Sequence, residues 1–177
     1  MHKLTTEWVD VAPRRVVLAM AVAAALIVVS GCGNRIEREP APQFSYTLLD
    51  GARKSSEALR GKVVLVNFWA TTCASCVKEM PQLVATHRQF QLRGFETLAV
   101  AMSYDAPASV SDFAQSRGLP FGVVIDNTGA IAKAFPGVQG TPTTFVIDKH
   151  GAIAKRIVGE PDFSELKLLV DRLLTEA

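Results

Sequence analysis

The chain has 177 residues, 49% hydrophobic and 20% charged, which leaves room for one ordinary domain with a normal core plus an appendage. A formal net charge of +2, with no basic cluster beyond Arg14-Arg15, argues against a polyanion-binding surface and so against nucleic acid as a partner. Three cysteines, Cys32, Cys73 and Cys76, are too few for a disulfide-stapled scaffold.

Residues 1–15 form a polar, mixed-charge lead. Val16–Val29 is then an uncharged apolar run of 14 residues. A membrane-crossing helix takes about 20 such residues, whereas the core of an export signal takes roughly 7 to 15. The run therefore reads as an export signal, and a polar linker follows it at once. Val29-Ser30-Gly31-Cys32 resembles the end of a bacterial lipoprotein signal, in which small residues precede a cysteine that is cleaved free and lipidated. That resemblance implies a signal peptide over residues 1–31, a lipid anchor on Cys32 and a polar, proline-containing tether over 32–42. An uncleaved short anchor is the alternative.

The folded domain is expected over 43–177. Phe44–Leu49 alternates weakly and ends at the Asp50-Gly51 turn signal, as the first arm of a hairpin or an edge strand would. Ser55 or Ser56 caps a short helix through Leu59. Val63–Trp69 is the first strong strand. Cys73–Arg93 has helical periodicity in Val77, Met80, Leu83, Val84 and Phe90, with Pro81 predicted to kink it. Phe95–Met102 and Phe121–Ile125 read as strands, separated by a short helix over Ser109–Arg117. Thr128–Phe135 is another short helix. Thr144–Ile147 and Ile153–Val158 pair across the Asp148–Gly151 turn, and an amphipathic helix capped by Asp162 or Ser164 runs to Leu174. Strands alternating with helices, then a hairpin and a closing helix, predict an α/β fold with a mixed central sheet.

The chemistry centres on Cys73-Ala74-Ser75-Cys76, placed where the first strong strand gives way to a helix. Two cysteines at this spacing can close a small disulfide or open to a dithiol. A helix N-terminus carries partial positive charge and free N–H groups, which stabilise a thiolate on the first cysteine. Cys73 is thus the candidate nucleophile and Cys76 the resolving thiol of disulfide exchange. A static staple across so short a loop would restrain the unfolded chain little, and a tetrahedral zinc site would need ligands that the sequence lacks. No cofactor beyond the cysteine pair, and no metal, is expected. His87 and His150 lack partners at metal or triad spacing and are expected on a helix surface and in a turn.

The WAxxCxxC pattern around Trp69, the Gly140-Thr141-Pro142-Thr143 run about 65 residues downstream and the order of elements resemble the thioredoxin fold. The extra strand–helix unit after the CxxC helix resembles the TlpA/ResA-like branch of membrane-tethered bacterial thiol–disulfide oxidoreductases. The resemblance covers Pro42 to the C-terminus. It implies that Pro142 is a cis-proline packed against the disulfide, and that Trp69, Thr141 and Pro142 contribute to substrate binding. It also implies that Glu79, three residues after Cys76, tunes the pair and handles protons. Thioredoxins proper carry an aspartate on the preceding strand; the matching position here is Asn67. Thr72 stands where relatives usually place a second tryptophan.

From this resemblance the expected function is reduction of disulfides in exported proteins on the periplasmic or extracytoplasmic side, with apocytochrome c as the family-based substrate and a membrane electron donor. A thiol peroxidase of related fold and a copper-binding assembly factor are the alternatives. Reduction potentials across the fold run from roughly −120 to −270 mV, and Ala74-Ser75 leaves the direction of electron flow open.

Overall fold

The computed structural model describes residues 38–176. The expected signal peptide, Cys32 and the first part of the tether lie outside the described residues. Among the described residues no helix is long and apolar enough to cross a membrane.

Two short strands, β1 (Ser45–Thr47) and β2 (Arg53–Ser55), pair antiparallel around the Asp50-Gly51 turn, so the Phe44–Leu49 stretch is one arm of a hairpin. A single turn of 3-10 helix, Ser56–Leu59, leads to β3 (Val63–Trp69), every residue of which is buried. A strand buried on both faces is possible because helices or loops cover both sides of the sheet, which is why its sequence is a continuous apolar run rather than an alternation. Helix α1 (Ala74–Phe90) follows, then β4 (Phe95–Ala101), α2 (Pro107–Arg117), β5 (Gly122–Ile125), a short α3 (Ala130–Ala134), β6 (Thr143–Ile147), β7 (Ile153–Val158) and α4 (Phe163–Thr175). Helix α2 starts two residues earlier than the periodicity suggests, with Pro107 in its first turn, where the missing N–H costs nothing. Helix α1 runs unbroken through Pro81.

The central sheet has the order β5-β4-β3-β6-β7. Strands β3, β4 and β5 are parallel, and β6 and β7 run antiparallel to their neighbours. The sheet is mixed, as expected, and it separates two apolar layers. One joins Trp69, Cys76, Met80, Leu83 and Phe90 to Leu166, Val170 and Leu173 of α4. The other contains Tyr46, Phe68, Phe135 and Phe145, with Phe68 and Phe145 edge-on at 6.0 Å between centroids.

Residues at the junction of tether and domain are held against the domain. Arg38 pairs with Asp148 at 2.8 Å, Pro40 bridges Ala152, and the Ala41 N–H donates to the Gly151 carbonyl at 2.9 Å. They dock on the β6–β7 turn, which Asp148 builds by accepting from the His150 and Ala152 N–H groups at 2.9 Å each.

His87 corrects one expectation. It is 4% exposed rather than on a helix surface, with Nδ1 3.2 Å from Thr97 Oγ1 and its ring edge-on to Phe121. Position 87 lies four residues after Leu83 and three before Phe90, on the buried stripe of α1. Burial lowers its pKa, opposed by the charge of Glu96.

Candidate functional site

The site lies where β3 leaves the sheet and α1 begins, beside the C-terminal end of β4 and the N-terminal end of β6. The Thr71-Thr72 turn brings the chain round, and the Cys73 N–H donates to the Ala70 carbonyl at 3.1 Å. Cys73 is the N-cap residue of α1, and its Sγ accepts from the Cys76 N–H at 3.2 Å. A sulfur at this position faces the unsatisfied N–H groups and positive end of a helix of 17 residues.

Cys73 and Cys76 form a disulfide, with their Cα atoms 5.2 Å apart. The two sulfurs differ in access. Cys76 is 0% exposed, packed with Trp69 and Met80, whereas Cys73 is only partly buried. Ser75 Oγ stands 3.4 Å from Cys73 Sγ, a second polar neighbour for the accessible sulfur. Access therefore favours attack at Cys73, the more exposed member of the pair.

Glu79 shares the inner side of α1 with Cys76, three positions along. It is 0% exposed. Asn67 Nδ2 donates to its Oε1 at 2.9 Å and to Thr144 Oγ1 at 3.0 Å, while Glu79 Oε2 has no partner among the described residues. Burial of the carboxyl raises its pKa to about 7, against the Asn67 hydrogen bond and helped by the negative charge of Glu160. A carboxylate this poorly solvated favours the neutral acid, because one amide donor cannot replace water around both oxygens. The chain thus holds a buried proton-binding group in the neutral range beneath the disulfide's inner cysteine.

Next to the end of β3 runs the Thr141–Pro142 loop, whose two residues are joined by a cis peptide bond just before Thr143 pairs with Phe68. Pro142 is buried, Thr141 is partly exposed, and the Pro142 carbonyl accepts from the Gly159 N–H at 2.8 Å. Trp69 is completely buried, with its ring 5.2 Å from that of Phe113. It belongs to the same apolar cluster as Cys76, and its side chain, expected to take part in substrate binding, has no exposed surface here.

Sequence reasoning missed Asp105, which is 5% exposed and accepts from both the N–H and the hydroxyl of Thr71 at 2.6 Å. It pins the turn that presents Cys73. Strands β3 and β4 are neighbours, so their C-terminal ends emerge side by side; a carboxylate after β4 was the available signal. Thr144 was likewise missed, although it directly follows the Thr-Pro-Thr run.

A closed CxxC pair at a strand-to-helix junction, with a cis-proline at the same end of the neighbouring strand of a five-stranded mixed sheet, defines a thioredoxin fold with a redox-type disulfide. The Redoxin family model matches residues 37–169, and the chain belongs to that family. It is 32% identical to the thiol–disulfide oxidoreductase ResA of Bacillus subtilis over 108 residues, 61% of this chain and 60% of that protein. The ResA of Geobacillus kaustophilus is 39% identical over 95 residues, 54% of each chain. The chain thus spans little more than half the length of these curated relatives. A thioredoxin-family thiol:disulfide interchange protein of Chlorobium tepidum superimposes with a TM-score of 0.72 and 32% identity, over 78% of this chain and 97% of that one.

Proposed function

We propose that this chain is an extracytoplasmic thiol–disulfide oxidoreductase, lipid-anchored through Cys32, that reduces disulfides in exported proteins. Apocytochrome c is the substrate that the family resemblance suggests, and a membrane protein is the electron donor. The observation that carries the reading is the Cys73–Cys76 disulfide at the N-terminus of α1, with one accessible sulfur and one buried sulfur on the same helix side as Glu79.

In the reducing direction the cycle starts from the dithiol. The Cys73 thiolate, stabilised by the helix N-terminus, attacks one sulfur of a substrate disulfide; a Cys73–substrate bond forms and the other substrate thiolate leaves. Cys76 then loses its proton to the Glu79 carboxylate and attacks Cys73 Sγ. This releases the second substrate thiolate, which takes up a proton, and closes the Cys73–Cys76 disulfide. Two electrons have passed to the substrate, and the donor supplies two more, with two protons, to regenerate the dithiol. A group that titrates near 7 is suited to this transfer, because both of its forms are populated at neutral pH. Pro142 and Thr141 wall the site against which the substrate chain lies.

The test is a disulfide-reduction assay on insulin, together with the equilibrium potential of the cysteine pair. A reductase is expected to turn over insulin with dithiol as donor and to show a potential near −270 mV, whereas a value near −120 mV would reverse the direction of flow. Peroxide consumption without insulin turnover would favour a thiol peroxidase instead, and stoichiometric copper binding without turnover an assembly factor.

A further inference from the structure

The segment between β4 and α2, residues 102–106, touches both walls of the disulfide site. Its root is fixed by the Met102 N–H, which donates to the Trp69 carbonyl at 3.0 Å. Asp105 points inward and holds Thr71, two residues before Cys73, through two hydrogen bonds of 2.6 Å. Tyr104, one residue earlier, is instead 63% exposed, and its hydroxyl stands 3.3 Å from Thr141 Oγ1, beside Pro142. One loop thus spans from the cysteine turn to the cis-proline loop.

Five large apolar side chains are exposed among the described residues, and two of them border Pro142. Tyr104 does so through Thr141, and Val158 through its register with Thr143. Leu49, Leu92 and Leu168 belong to other parts of the surface. Thr72, exposed beside Cys73, supplies only a methyl and a hydroxyl, whereas Tyr104 offers a large exposed face beside Thr141 and Pro142. A tyrosine is well suited to supply it, with a large, stiff face, two side-chain torsions and a polar tip that tolerates water.

We propose that Tyr104 is a specificity-determining residue of the exchange reaction. Its ring forms a wall on which an extended polypeptide lays an apolar or aromatic side chain flanking its reactive cysteine. The proposal rests on the thiol–disulfide reading above. Asp105 is the positioning residue, because its grip on Thr71 keeps the loop ordered before substrate arrives, which lowers the entropy lost on binding. The long contact between the Tyr104 and Thr141 hydroxyls leaves the ring free to meet a ligand.

The experiment uses two disulfide-containing peptides, identical except for phenylalanine or serine next to the cysteine, and follows their steady-state reduction by the full chain with a small dithiol as electron donor. Wild type is expected to prefer the phenylalanine peptide. Tyr104→Ser is expected to raise KM for that peptide about tenfold, the size of a typical interface aromatic, with kcat within about twofold, and so to erase the preference. Tyr104→Phe keeps the preference, as does Leu92→Ser, which removes an exposed apolar side chain elsewhere. Tyr104→Ser with the preference intact overturns the proposal while leaving the oxidoreductase reading in place. Failure of wild type to reduce either peptide overturns that reading, and the proposal with it.

Discussion

Glu79→Gln is the substitution that tests the site most directly, because it keeps the shape and removes only the ionisation. The oxygen of the new amide can still accept from Asn67 Nδ2, as Glu79 Oε1 does at 2.9 Å. In the native protein the carboxyl titrates at about 7 rather than at its ordinary 4.5, chiefly because burial penalises the charge. An acid whose folded-state pKa is raised binds more protons folded than unfolded between those two values, so stability falls as pH rises through that window and then stays low. A gap of about 2.5 units corresponds to about 3 kcal/mol of stability lost between about pH 4 and about pH 8.5. Urea unfolding of the oxidised protein at the two extremes measures this. The glutamine variant should gain about 3 kcal/mol over wild type at the high pH relative to their difference at the low one. Every other titrating group is shared and cancels in the comparison. Parallel pH profiles would mean that Glu79 titrates in the folded protein at its ordinary value, and both the raised pKa and the proton-acceptor role would fall.

The remaining predictions concern neighbouring groups. His87 is buried with a lowered pKa, so its own contribution to stability is lost as pH falls below about 6.5, the unfolded value, and the stability of wild type relative to His87→Leu should fall through that window in unfolding measured against pH. Cys76→Ser, unable to resolve, should accumulate a covalent Cys73–substrate adduct visible by mass spectrometry, and Cys73→Ser should form none. Asp105→Ala strands the Thr71 N–H and hydroxyl; a loss of about 2 kcal/mol in denaturant unfolding is expected, with slower alkylation of the reduced Cys73 as its turn loosens. Unchanged stability and unchanged alkylation would show that Asp105 does not hold the turn.

Much of this is legible in the chain because it is local. The continuous apolar run of β3, the cysteine pair at the head of α1 and the glycine that closes its C-terminal end are all encoded within a few residues of where they act. The Thr-Pro motif likewise marks the loop that carries the cis bond. His87 escapes a local reading because a polar residue on an apolar stripe looks like surface until its neighbours are known; Thr97 and Phe121 are those neighbours.

By itself, then, the sequence determined the strand-to-helix junction and the presence there of two thiols at exchange spacing, since periodicity, caps and turn residues act over one or two helical turns. Tertiary structure alone decided how different those thiols are and what surrounds them. Glu79 finds Asn67 across 12 residues, Asn67 finds Thr144 across 77, and Thr71 finds Asp105 across 34. No local pattern encodes such partners, because sheet order chooses them: β4 and β6 flank β3 and bring their ends to the cysteine turn. Burial then does the chemistry's groundwork, turning an ordinary glutamate into a group that holds its proton near neutrality.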